Sequence, residues 1–261
     1  MHPLYGPRLK VRRAESELNA FRRAEDIFRK KTNNKIVRAE FNPKTGKDVY
    51  RVSMKVSPPL EWGVLLGEIA HNLRSALDGV VYQLALLNTK TPARKTQFPI
   101  FLVGRTERKR SGNLIPHFER EGRGMIGDLG KEHQALIKRL QPYKSGREGR
   151  NSPLWHLYEI NNADKHRLIQ VVGIKPAGLS WGGWGDDVEQ PSFPTSRPVV
   201  LKDGAKFCEF SPGVTVHPKL FPLIAFSEGC PAVKDRTVRL TFGLILKEVS
   251  EIVESFGPEF E

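Results

Sequence analysis

Apolar residues recur at three- and four-residue spacing over five stretches of this chain, and strand-like runs separate the early and late ones. Ala14, Leu18, Phe21, Ala24 and Phe28 predict a helix from Ala14 to about Lys31. Lys35–Phe41 and Asp48–Val56 read as strands, and the intervening NPKTGK carries the Pro and Gly of a hairpin loop. Leu66, Ile69, Leu73, Leu77, Val80 and Leu84 then hold the helical spacing between Leu60 and Leu87, which predicts the central core helix. Leu129–Leu140 returns to helix and stops at Pro142. After Leu168 the period changes to strand, in LIQVVGI and in PVVLKDGAKFCEF, where Asp203–Gly204 predicts a hairpin turn. VTVHP and PLIAFSE are further strand candidates. The last helix carries Phe242, Ile245, Leu246, Val249, Ile252, Val253 and Phe256 on one face. The expected class is α+β: a bundle of four to five helices, with antiparallel β-hairpins before the central helix and before the C-terminal helix.

The connections are as informative as the elements. Residues 1–12 read as a flexible basic arm and 104–128 as a mobile basic loop, within a single domain spanning 1–261. FPIFLV at 98–103 predicts a short buried strand or edge. GLSWGGWGDD is Gly/Trp-rich, a composition that often lies over a pocket mouth.

One helix breaks the apolar rule. SPLWHLYEINNADKHRL, Ser152–Leu168, opens with a capping Ser and a Pro at the first helical position. Its seam is Leu154, Leu157, Asn161, Asp164 and Leu168. Burying an unpaired amide or carboxylate costs roughly 2–7 kcal/mol, so partners are expected for Asn161 and Asp164. The central helix offers them. His71, Arg74 and Asp78 follow at i, i+3 and i+7 and lie about 80–140° round from Leu66, on the border of the apolar seam. If the two helices pack antiparallel, Arg74 is placed to satisfy Asp164, leaving His71 and Asp78 for Asn161 or a ligand.

Charge sharpens this picture. The net +13 is segregated: +9 over 1–57, −2 over 58–87, +9 over 88–150 and −3 over 151–261. Basic segments of this kind are the footprint of a polyanion binder, most often nucleic acid, although a solvated surface also produces them. Two cysteines make neither a disulfide framework nor a metal knuckle. No signal-peptide core and no membrane-length apolar run is present, so a cytoplasmic location without membrane contact is expected. HExxH, CxxC, Walker and GxSxG motifs are absent. Arg74 and Lys165 would oppose a divalent cation among His71, Asp78, Asp164 and His166, so neither a metal nor a cofactor is expected.

HNLRSALD (71–78), LQPY (140–143) and NNADKHR (161–167), in this order, resemble a bacterial protein family. Their spacing is also similar to the HEPN helical bundles, whose metal-independent ribonucleases use an Arg, a polar residue just after it, and a His four to six residues on. That resemblance implies RNA as the ligand and a homodimer as the working assembly. It places Asn162 and His166 at the polar and His positions, while Asn161 stands where those enzymes carry Arg.

Two readings follow. In the first, an RNA- or nucleotide-binding protein or ribonuclease uses His166 as acid/base, Arg74 as phosphate partner, and Asn162 with Asp164 to orient. His71, Asp78, Asn161, Lys165 and Arg167 complete its binding set. In the second, a non-enzymatic structural or interaction protein uses the same polar residues as a buried network that fixes helix register.

Overall fold

The computed structural model describes residues 2–32, 37–53, 57–104, 117–166, 168–169, 171–180, 203–204, 206–211 and 219–261. The fold is α+β. Its elements are α1 (Tyr5–Thr32), β1 (Val37–Asn42), β2 (Lys47–Val52), α2 (Glu61–Leu86), α3 (Arg123–Met125), α4 (Lys131–Arg139), α5 (Pro153–His166), β3 (Val171–Ser180), β4 (Lys206–Phe210), β5 (Lys219–Phe226) and α6 (Val238–Ser255). The chain, read above as one domain, divides into two compact units. A helical unit takes Met1–Asn19, Val64–Ile169 and Leu240–Glu261, and a sheet unit takes Ala20–Gly63 and Gln170–Arg239.

In the helical unit, α2 is the core element. Leu66, Ile69, Leu73, Leu77, Val80 and Leu84, the six residues of its predicted stripe, are all fully buried. Each such side chain contributes about 1.5–3 kcal/mol of burial free energy, which explains how α2 keeps three internal glycines and polar residues on its border. On α6, Phe242, Ile245 and Val249 are fully buried in the same way.

The expected arm over residues 1–12 is corrected: α1 begins at Tyr5. Pro7 would break a helix interior, yet within the first helical turn its missing N–H would have no intrahelical acceptor anyway. Leu4 is fully buried, and Arg8 clamps Glu254 of α6 at 2.6 Å, so burial and charge together fix the start of the helix. Of the expected mobile loop 104–128, residues 105–116 lie outside the described residues. Residues 118–125 wind into a short helical turn with Phe118 buried.

FPIFLV is buried, with Phe98, Ile100 and Phe101 at most 8% exposed, but among the described residues it pairs with no strand. Its backbone groups are met by side chains and by single backbone contacts instead. The buried Gln141 amide donates to the Pro99 carbonyl at 2.8 Å and accepts the Phe101 N–H at 3.1 Å. The Tyr143 N–H reaches the Phe101 carbonyl at 3.2 Å. An extended strap held this way meets the rule that buried backbone must be hydrogen-bonded, without a β-ladder.

In the sheet unit, the first hairpin forms as expected. β1 and β2 pair antiparallel from Val37↔Val52 to Asn42↔Lys47, and Gly46 takes the positive φ (64°) that the turn requires. The Asp203–Gly204 turn is present, with Gly204 at φ 76°. β4 beyond it pairs with β2, giving the sheet order β1-β2-β4. The expected partner arm at 198–202, the strand candidate VTVHP and most of the Gly/Trp-rich segment (181–187) lie outside the described residues. The antiparallel pair that precedes α6 is β3 with β5, interrupted by two register shifts.

Candidate functional site

α5 carries the site, and its sequence shows why. Pro153 starts the helix, and Leu154, Leu157 and Ile160 anchor it in the core with no exposed surface. The stripe then turns polar. Asn161 is 6% exposed and Asp164 is half-buried. Leu168, expected on the seam, lies beyond the end of the helix and is 41% exposed.

A cleft of about 650 Å³ opens over this polar turn. α1 contributes Arg13 and Glu17, α2 contributes Val64, Gly67, Glu68, His71 and Asn72, and α5 contributes Asn161, Asp164 and Lys165, with Leu168 beside them. All of these belong to the helical unit. The key approach is between Asp164 and Gly67. A Cβ at position 67 would sit no more than 2.6 Å from either Asp164 carboxylate oxygen, so the missing side chain is what lets the carboxylate in. Among the described residues, neither the Asn161 carboxamide nor the Asp164 carboxylate makes a hydrogen bond.

The electrostatics follow from that placement. Burial pushes the Asp164 carboxyl above its ordinary range; His71 pulls it back in part and Glu68 pushes it further up. Glu17 is different. It is only 8% exposed but is matched, accepting from Arg13 Nε at 2.6 Å and from the Asn72 amide at 3.5 Å. The Arg13 side chain lines the cleft and remains 70% exposed. His71 is exposed, its Nε2 lying 3.4 Å from the Ser75 hydroxyl.

The column on α2 is therefore split. His71 stands beside Asp164, but Arg74 does not pair with it. The Arg74 guanidinium donates to the Phe98 carbonyl at 2.5 Å and bridges Asp78 at 2.9 Å, while Asp78 accepts the Phe98 N–H at 2.9 Å. Gly67 admits Asp164 at its own turn of α2, which puts His71 in range and leaves Arg74 a further turn along. The Arg74 side chain is only 13% exposed and is engaged by Asp78 and the Phe98 carbonyl, so the expected Arg74–Asp164 pair is replaced by a clamp on the strap. Asp78 takes part in the same clamp, accepting from Arg74 Nε at 3.2 Å as well as from the strap.

Of the other expected residues, Lys165 lies exposed at the cleft and Asn162 is half-buried outside it. His166 is the last residue of α5, and its side chain, like all of Arg167, lies outside the described residues. Glu17, Arg13 and Gly67 escaped the sequence reading. Glu17 had a signal, because it follows Ala14 by three and precedes Phe21 by four, on the buried stripe of α1.

Among the described residues, no group of three His, Cys, Asp or Glu side chains is placed to hold a metal ion. No described helix is long and apolar enough to cross a membrane. Comparison with protein-family models, curated proteins and solved structures finds no match.

Proposed function

We propose that the protein binds single-stranded RNA or a nucleotide in the α1–α2–α5 cleft. The observation that carries this reading is the pair Asn161 and Asp164. It consists of a nearly buried carboxamide and a desolvated carboxylate, unpaired among the described residues and lining an open cleft. Desolvated polar groups are costly unless something arrives to meet them, and the edge of a nucleobase offers the matching donors and acceptors. Arg13 and Lys165 at the mouth supply the charge a phosphate needs. They take the place that the sequence pattern suggested for Arg74. Val64 and Leu168, 52% and 41% exposed, offer apolar surface to a base or sugar.

The test is fluorescence anisotropy with a labelled single-stranded oligoribonucleotide at moderate salt. Binding is expected, weakening with added salt as phosphate contacts are lost. Asn161→Ala and Arg13→Ala should each weaken it. Binding that is undetectable at low salt, or indifferent to both substitutions, overturns the reading.

A second reading, cleavage of the bound strand, rests on His71 beside Asp164. An imidazole and a carboxyl whose burial raises its proton affinity form an acid–base couple suited to metal-independent phosphodiester chemistry. His166, the last residue of α5, is the second imidazole in this proposal. RNA should then be cut in the presence of a chelator, and His71→Ala or His166→Ala should abolish cutting while binding persists.

A further inference from the structure

The composition of the Asn161–Asp164 pair says more than that a base binds there. The two residues are three apart on α5, so they project from one face, about a turn from each other. Together they offer one carboxylate with two acceptor oxygens and one carboxamide with an N–H donor beside it. Guanine is the nucleobase whose Watson–Crick edge presents two adjacent donors, N1–H and the N2 amino group, flanked by one acceptor, O6. Adenine and cytosine each offer one amino donor next to a bare ring nitrogen, which a carboxylate repels. Uracil offers one N–H between two carbonyl oxygens, which repel it from both sides.

We propose that the cleft reads guanine, with the Asp164 carboxylate accepting from N1–H and N2–H and the Asn161 amide donating to O6. The inference rests on the nucleotide reading above and narrows it. Three features of the structure favour it. Asn161 is more than nine-tenths buried and has no partner among the described residues, so its donor is held ready in the wall of the cleft. Gly67 leaves the room that keeps the Asp164 carboxylate seated and gives it no hydrogen bond of its own. Glu17 is already engaged by Arg13 and Asn72 and Glu68 is exposed to solvent, which leaves Asp164 as the partly buried acceptor for a base edge. Arg13 and Lys165 then meet the phosphate, whether it belongs to a mononucleotide or to an RNA strand.

The experiment is a competition series against a labelled guanine-containing oligoribonucleotide, using the full chain. Competitors are the four ribonucleoside monophosphates, xanthosine monophosphate, single-stranded oligomers lacking or containing guanine, and free arginine. The guanine forms should compete about tenfold or more better than the others, the size of a good bidentate base contact. Asp164→Asn should lose that preference and gain xanthosine monophosphate, because xanthine carries a carbonyl oxygen where guanine carries the N2 amino group and an amide can donate to it. Glu248→Gln, outside the cleft, serves as a control and should keep the guanine preference.

Equal competition by all four bases overturns the guanine assignment while nucleotide binding stands. Failure of any nucleotide or RNA to bind overturns both. Displacement by arginine as strong as by guanosine monophosphate assigns the pair to a guanidinium group and also overturns the inference. Guanosine monophosphate competing as well as the oligomer identifies a mononucleotide site. A marked advantage of the guanine-containing strand identifies RNA. Either result supports the reading of the base.

Discussion

The Asp164 carboxylate rests against the bare Cα of Gly67, at the point where a Cβ would lie within 2.6 Å of its oxygens. This contact seats the end of α5 against α2 at the Gly67 turn, with His71 one turn further along α2. It predicts that Gly67→Ala destabilises the protein by about 1–3 kcal/mol, the usual cost of overpacking a tight contact. Alanine would otherwise be favoured inside a helix by about 1 kcal/mol. In an Asp164→Ala background the overlap disappears, and Gly67→Ala should become neutral or stabilising. Chemical denaturation of the two single variants and the double variant measures that coupling. Additive effects would refute the contact.

Asp164 also predicts a pH dependence. Burial raises its proton affinity in the folded state above that of the unfolded chain. A carboxyl of this kind contributes stability that is fully present below its unfolded pKa and is lost as pH rises through the folded one. Asp164→Asn should therefore raise Tm at neutral pH, with the gain fading to nothing in acid. Glu248 on α6 is raised by burial and by Glu251, so Glu248→Gln should behave the same way. Melting curves of each variant and the parent between acid and neutral pH test this. A gain that grows in acid would reverse the sign and contradict it.

A third prediction concerns Arg74. Its partners are Asp78 and the Phe98 carbonyl, so Arg74→Met should cost about 1–3 kcal/mol through hydrogen bonds left unmet. The loss should couple strongly to Asp78→Asn and not to Asp164→Asn. Exchange of the Phe98 amide proton, which Asp78 accepts at 2.9 Å, should speed up in either strap variant. Nucleotide or RNA binding per folded molecule should be unchanged. If Arg74 instead met a phosphate, affinity would fall and the salt dependence would flatten.

How much of this the sequence carried depends on where each partner lies. The α2 stripe was legible because six aliphatics at helical spacing need nothing but one another. The cleft was legible through Asn161 and Asp164, because polar groups inside an apolar period announce an unmet cost. The role of Arg74 was not, because its partner is a backbone carbonyl 24 residues away, and a carbonyl leaves no mark on residue type. Gln141 was hidden for the same reason, since all its acceptors and its donor are main-chain atoms. The first turns of α1 were missed because Gly6 and Pro7 look like breakers away from the structure that buries Leu4. Glu17 and Glu25 were hidden because a buried helical stripe shows itself through its apolar residues, and this one also holds two carboxylates, 8% and 1% exposed.

Glu25 supplies the last prediction, in the sheet unit. Its carboxylate accepts from Arg239 Nε at 2.8 Å and from the Ile224 N–H at 3.4 Å. Arg239 also reaches Asp26 at 2.7 Å and the Arg22 carbonyl at 2.8 Å. The pair is lopsided, because the Arg239 side chain is 34% exposed while that of Glu25 is 1% exposed. Removing the exposed partner therefore does the greater harm. Arg239→Met should cost about 3–5 kcal/mol, since it strands a charge that water cannot reach. Glu25→Gln should cost less, because the amide oxygen still accepts from Ile224 and Arg239 keeps Asp26 and solvent. Adding Glu25→Gln to Arg239→Met should recover part of the loss, as the stranded charge is gone. Urea denaturation of the three variants checks the order, and a double variant less stable than Arg239→Met alone would show that Glu25 is not carrying a buried charge.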